Sequence, residues 1–154
     1  MFIFGNNINF LNLIDDKDKQ IIDLLVSSGR EPATSISEKV GLSVPSVTER
    51  IKKLQESKVI SGFKAVVNYK NLGFDVSALI TIISESSSDY HGFRNETNNN
   101  TEIIKCFSTT GNGSHVLFVR TKNTNSLEKL LSKIQQWPGV KRTETQLILS
   151  TYKD

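Results

Sequence analysis

The stretch TSISEKVGLSVPSVTERIKKLQE, residues 34–56, decides how the first part of the chain folds. Ile36 and Val40 stand four apart, on one face of a short helix. Gly41 supplies the left-handed residue at which a helix can stop. Ser43 is a good N-cap, and Pro45 fits a first turn that needs no backbone donor. Val44, Val47, Ile51 and Leu54 then recur at steps of three, four and three. That is one buried stripe on a helix of about three and a half turns. The opposite face carries Ser46, Glu49, Arg50, Lys52 and Lys53.

A short helix, a glycine turn and a second amphipathic helix make the plan of a helix-turn-helix. Its second helix keeps one face on the core and offers the other to the major groove, with small polar residues at its N-terminal end. Ser43, Pro45, Ser46 and Thr48 suit that end, and Thr34 opens the helix before it. Ser46, Thr48 and Glu49 are candidates for base edges. Arg50, Lys52 and Lys53 are candidates for phosphates, which position a protein without reading sequence. A helical hairpin in an unrelated core has the same spacing, so pattern alone leaves both readings open.

Upstream, Asp15 can cap a helix with Ile21, Ile22, Leu25 and Val26 on its apolar side and Asp18 in its first turn. The segment before it lacks a basic start and runs into Asp15 and Asp16, so it does not read as a signal peptide. Phe2-Ile3-Phe4 is expected either to lack order or to pack on a neighbouring subunit. Downstream, 59–67 reads as a turn into a short strand and 68–73 as a hinge. Residues 1–62 are then an N-terminal extension with the helix-turn-helix, 63–73 a linker strand and hinge, and 74–154 a second domain.

That second part changes period. Residues 76–83 form a continuous apolar, β-branched run of strand length. A weak helix over about 89–98 follows a polar stretch. Strands over 102–109 and 115–122 flank Gly111-Asn112-Gly113 as a hairpin. Asn125 or Ser126 caps a helix bearing Leu127, Leu130, Leu131 and Ile134, which Trp137-Pro138-Gly139 stops. Residues 140–152 form the last strand. Strand, helix, strand, strand, helix, strand is the ferredoxin-like βαββαβ order, and the fold class is α+β. Two helices cover one face of such a sheet. The other face, left apolar, reads as an interface.

Composition excludes several functions. One cysteine, Cys106, rules out a disulfide framework and a cysteine-rich zinc site. Two histidines, His91 and His115, leave no metal cluster. No cofactor motif is present, and no apolar run approaches the ~20 residues that span a bilayer. The chain reads as cytoplasmic, with Cys106 a small core residue and His115 a surface histidine. No nucleophile with a base, phosphate-binding glycine loop or close acid pair points to an enzyme. Net charge is only +3, but residues 46–64 hold five cations against Glu49 and Glu56, while acids gather at Asp15, Asp16, Asp18 and Asp23. A locally basic stretch suits a polyanion, and a solvated helix face explains it equally.

The ordered set Ile14-Asp15-Asp16-Lys17-Asp18-Lys19-Gln20-Ile21-Ile22-Asp23-Leu24-Leu25, Arg30, Val40-Gly41-Leu42-Ser43, Val47, Arg50-Ile51, Leu54 and Val59-Ile60-Ser61-Gly62-Phe63 resembles the Lrp/AsnC family of transcriptional regulators. Thr110-Gly111, Pro138-Gly139-Val140, and Thr143 with Thr145 before Leu149 extend the likeness to Lys153. The resemblance implies an N-terminal winged helix-turn-helix on double-stranded DNA, in association with the nucleoid. It also implies a C-terminal domain that dimerises, assembles into tetramers or octamers, and often binds an amino acid between subunits. The implied effector loop is Thr110, Gly111, Asn112, Gly113, Ser114 and His115. The family's loop usually runs Thr-Gly-x-x-Asp and an aromatic; here those last two places are Ser114 and His115. A carboxylate is a natural partner for an ammonium group. Its loss means that the effector differs, that another acid holds it, or that there is none. A pocket near the loop is still expected, against the plain reading of a hairpin turn. Lys58 stands where the family commonly has glycine. Two other classes share this pattern: the sirohaem decarboxylases, which resemble the family in both domains, and architectural proteins that coat DNA.

Overall fold

The computed structural model describes residues 14–84 and 90–153. The expectations for Phe2, Ile3 and Phe4, and for the polar stretch 85–89, lie outside the described residues. The chain divides into two compact units between Val67 and Asn68.

The first unit is three helices, α1 (Asp16–Ser27), α2 (Ala33–Val40) and α3 (Val44–Glu56). Asp15 caps α1 as expected, and a capping box closes it. The Asp15 carboxylate accepts from the Asp18 N–H at 2.8 Å, and the Asp18 carboxylate accepts from the Asp15 N–H at 3.2 Å. Gly41, at φ 66°, stops α2, where the Lys17 ammonium donates to the Val40 carbonyl. Ser43 caps α3 by accepting from the Ser46 N–H, and Pro45 lies in its first turn. Ile21, Ile36, Val40, Val47 and Leu54 form the core, with Ile51 partly buried beside it. Each such burial contributes roughly 1.5–3 kcal/mol.

Three expectations here need correction. Val44, the first residue of α3, is exposed rather than on the buried stripe. Val26, near the end of α1, is 80% exposed rather than part of the apolar side. The strand expected over 59–67 does not form, and 61–68 carry no regular structure. A strand is stabilised by a ladder partner, and the described residues of the chain pair none with this stretch. α3 ends through Lys58, which takes a left-handed φ of 61°.

The second unit opens with a 3₁₀ turn, Tyr69–Leu72, and builds β1 (Val76–Ser84), α4 (Tyr90–Asn98), β2 (Ile103–Ser108), β3 (His115–Thr121), α5 (Thr124–Ile134) and β4 (Val140–Leu147). The sheet order is β2-β3-β1-β4, all antiparallel. Ala78, Ile80 and Ile82 of β1 and Leu117 and Val119 of β3 alternate onto one face, under Phe93 of α4 and Leu127, Leu130 and Ile134 of α5. Trp137 is buried there, edge-on to Phe93 at 5.2 Å between centroids, as the anchor after α5. The opposite face carries Leu79, Thr81 and Ile83 with Val116 and Phe118, all half-buried, and Phe107, which is exposed. One end of that face is covered: the Arg120 guanidinium stacks on the Tyr69 ring at 3.7 Å.

Here too the sequence reading is corrected in places. Asn123, not Asn125 or Ser126, caps α5, accepting from the Ser126 N–H at 2.9 Å. The last strand stops at Leu147, and Leu149 and Tyr152 are exposed. Cys106 is exposed on edge strand β2 rather than in the core. His115 is buried, not on the surface, because α4 lays Phe93 against its ring at 4.3 Å.

Candidate nucleic-acid interface

Val47 and Leu54 anchor α3 in the core, and that fixes which side faces away. Ser43, Pro45, Ser46, Thr48, Glu49, Lys52 and Lys53 are all exposed. Thr34, in the first turn of α2, is exposed as well. The helix start is locally satisfied: the Ser43 hydroxyl donates to the Ser46 hydroxyl at 3.1 Å, and the Thr48 hydroxyl donates to the Val44 carbonyl at 3.0 Å. Those hydroxyl oxygens retain acceptor capacity toward a ligand.

The three cations of α3 differ in kind. Lys52 lies 3.8 Å from Glu56 and Lys53 3.7 Å from Glu49, beyond ordinary hydrogen-bond distance and well exposed. Such pairs are worth little and leave the ammonium groups available. Arg50 is committed elsewhere. Its Nη1 donates to Asp15 Oδ2 and to Asp18 Oδ1, both at 2.8 Å. Asp18 is almost wholly buried. The Asp18 and Asp15 carboxylates push the Arg50 guanidinium above its ordinary range. The Asp18 backbone N–H and then Arg50 hold Asp15 below the usual carboxylate range. The partners of Arg50 lie 32 and 35 residues upstream. The signal that could have found them was the cluster of acids at the start of α1. An open groove of about 820 Å³ lies beside the triad, with Ile14, Pro45, Leu54 and Val59 among its lining.

The loop 109–114 closes on itself and on β1. The Thr109 N–H donates to the Ser114 carbonyl at 3.0 Å, and the Ser114 N–H to the Ile82 carbonyl at 2.8 Å. Ser114 Oγ lies 3.0 Å from His115 Nδ1. Thr110, Gly111 and Asn112 are exposed, Gly113 and Ser114 half-buried, and His115 buried, so the loop offers only its tip outward. Burial lowers the pKa of His115. A Cβ at Gly113 would lie 2.3 Å from Thr81 Cγ2 and 3.1 Å from the Ile82 carbonyl oxygen. The groove beside α3 and a shallower one along α5 include none of the residues of this loop. Among the described residues, no group of three or more His, Cys, Asp or Glu could hold a metal ion.

A helix-turn-helix unit followed in the same chain by an α+β domain is the architecture of a class of two-domain transcriptional regulators, and the family matches place this chain in it. An AsnC-type helix-turn-helix domain matches residues 14–55, and an Lrp/AsnC ligand binding domain matches residues 76–154. The chain belongs to the Lrp/AsnC family. It is 36% identical over 142 residues to the HTH-type transcriptional regulator FL11 of Pyrococcus furiosus, covering 92% of this chain and 93% of that one. It is 32% identical to the regulatory protein AsnC of Haemophilus influenzae, over 86% of this chain and 89% of that one. The solved structure of Escherichia coli AsnC superposes with a TM-score of 0.84 at 27% identity, covering 92% and 95% of the two chains. The feast or famine regulatory protein of M. tuberculosis, complexed with L-methionine, does so at 0.83 and 31%, with the same coverage. These relatives are named as regulators. No helix among the described residues is long and apolar enough to cross a membrane.

Proposed function

We propose that the protein lays α3 in the major groove of double-stranded DNA, with Ser46, Thr48 and Glu49 toward base edges and Lys52 and Lys53 on phosphates. Ser43, Pro45 and Thr34 line the approach. The carrying observation is the division of α3: Val47 and Leu54 are held in the core, while every one of those polar residues is exposed. Arg50 is left out of the phosphate set, because two carboxylates already hold it. The protein acts in the cytoplasm, on the nucleoid, without catalysing a reaction. Two copies, or tetramers and octamers built from them, associate through the uncovered sheet face, which supplies paired recognition helices.

Binding should weaken steeply with salt, by roughly 0.9 logarithmic units per tenfold salt for each phosphate contact. Filter binding of duplex DNA across a salt series should give a slope shallower by about two such contacts in the Lys52→Gln, Lys53→Gln double variant. An unchanged slope, or no binding by the wild type, counts against the reading.

The effector reading is narrower. A relative holds L-methionine, and the exposed tip Thr110, Gly111 and Asn112 offers backbone and polar groups to such a ligand. Ser114 and His115 bind inward and support the tip. In this reading a second copy of the chain, joined through the apolar sheet face, completes the pocket around the tip. A panel of amino acids should raise the melting temperature for at least one member. A flat panel removes the amino-acid effector.

A further inference from the structure

On the flank of α3 that carries Arg50, an ion pair spans to α1 beside an open groove. Val47 and Leu54 fix which side of α3 faces the core, but on this flank an open groove of about 820 Å³ takes the place of further packing. What crosses is one nitrogen. Arg50 Nη1 carries two protons, and they go to Asp15 and Asp18 at 2.8 Å each. The same two carboxylates use their other oxygens to close the capping box of α1. Arg50 is therefore tied to the rigid first turn of another helix.

We propose that Asp15, Asp18 and Arg50 form a positioning device. Beyond the facing that core packing fixes, they set the finer roll of α3, and with it the protein's discrimination between DNA sequences, without Arg50 touching DNA. The inference rests on the DNA-binding reading above. Arg50 follows Ser46 by four residues, on the same side of α3, so fixing Arg50 fixes the direction of that base-facing candidate. Base-edge contacts depend on placement, whereas phosphate contacts tolerate a shift. Moving Arg50 to a phosphate would strand Asp18, whose side chain is 10% exposed, as an unpaired and nearly buried charge.

This predicts opposite effects of one substitution on two kinds of binding. Asp18→Asn removes a negative charge beside a polyanion, which should leave or strengthen binding to non-specific duplex. It should nevertheless weaken discrimination, because Arg50 then keeps Asp15 as its one charged partner of the two. The experiment first selects preferred duplexes from a random pool with the full wild-type chain. It then measures the ratio of affinities for a selected and a scrambled duplex over a salt series. Arg50→Gln and Asp18→Asn should each lower that ratio by about tenfold and leave the salt slope unchanged. The double variant should be no worse than the worse single one. Arg50→Lys should restore part of the ratio lost in Arg50→Gln. If Arg50→Gln fails to fold, Asp18→Asn and Arg50→Lys decide the matter by the same ratio. A slope shallower by about 0.9 in Arg50→Gln would make Arg50 a phosphate contact and overturn the proposal. Undiminished discrimination in Asp18→Asn would overturn it equally. A wild type that enriches no duplex defeats the DNA-binding reading and this inference together. A wild type that does, with variants behaving otherwise than stated, defeats the inference alone.

Discussion

At Lys58, backbone and side chain disagree. Its φ of 61° is left-handed, yet the turn around it is well bonded: the Lys58 N–H donates to the Gln55 carbonyl at 3.1 Å and the Ile60 N–H to the Leu54 carbonyl at 2.9 Å. A left-handed residue other than glycine costs roughly 1–2 kcal/mol. Glycine would return about 0.4–1 kcal/mol of that through its freer unfolded state. Lys58→Gly should therefore stabilise the protein by about 0.5–1 kcal/mol in urea unfolding, and a loss of stability would contradict this account. Asp15 gives a second prediction at this scale. Its carboxyl is held below the ordinary 3.8 by the Asp18 N–H and by Arg50, so as pH falls the unfolded chain takes up the proton first. The stability contributed by ionised Asp15 is present above pH 3.8 and is lost as pH drops through the folded value. Asp15→Asn should cost more at about pH 6 than at about pH 3 in urea unfolding. An equal cost at both would show that the ion pair adds nothing.

Elements whose causes are local were legible in the sequence. The cap at Ser43, Pro45 in the first turn and the Val47–Leu54 spacing all act within one helix, and α3 runs where they placed it. The stop at Gly41 and the cap at Asp15 are of the same kind. What escaped depends on distant partners. The burial of His115 needs α4 overhead. The pairing of Arg50 involves residues more than thirty positions away. The strand expected over 59–67 carries strand-like residues but has no ladder partner in the described chain. The loop after β2 lies between these cases. Its two glycines announced a tight turn, but only the contacts show why one position tolerates no side chain. A methyl group at Gly113 would meet Thr81 and the Ile82 backbone of β1. Thr81 is branched and short, so it cannot swing aside as a long side chain would. Gly113→Ala should cost about 1–3 kcal/mol, read as a lower melting temperature. Gly111→Ala meets no neighbour within 4 Å and is strained only by its φ of 103°. Equal tolerance at both positions would mean that the loop lifts easily from β1.

At the scale of the whole molecule, the sheet has unequal faces. One is sealed by α4 and α5. The other sets Leu79, Ile83, Val116 and Phe118 half-buried beside an exposed Phe107, and its Arg120 end is covered by Tyr69. A stable homodimer removes on the order of 1,600 Å² from water, and an apolar sheet face is the surface best able to supply it. Leu79 lies on the central strand β1, opposite Phe118 and Gln146. In a single chain, a glutamate there keeps access to water and is tolerated. In an oligomer closed over that face, it becomes a buried charge with no partner. Leu79→Glu should therefore leave secondary structure intact while lowering the solution mass toward the 17.2 kDa of one chain. Binding to DNA with two half-sites should weaken far more than binding to one half-site, because the second recognition helix loses its tether. An unchanged mass would place the interface elsewhere, and a changed mass with unchanged binding would separate oligomerisation from DNA recognition.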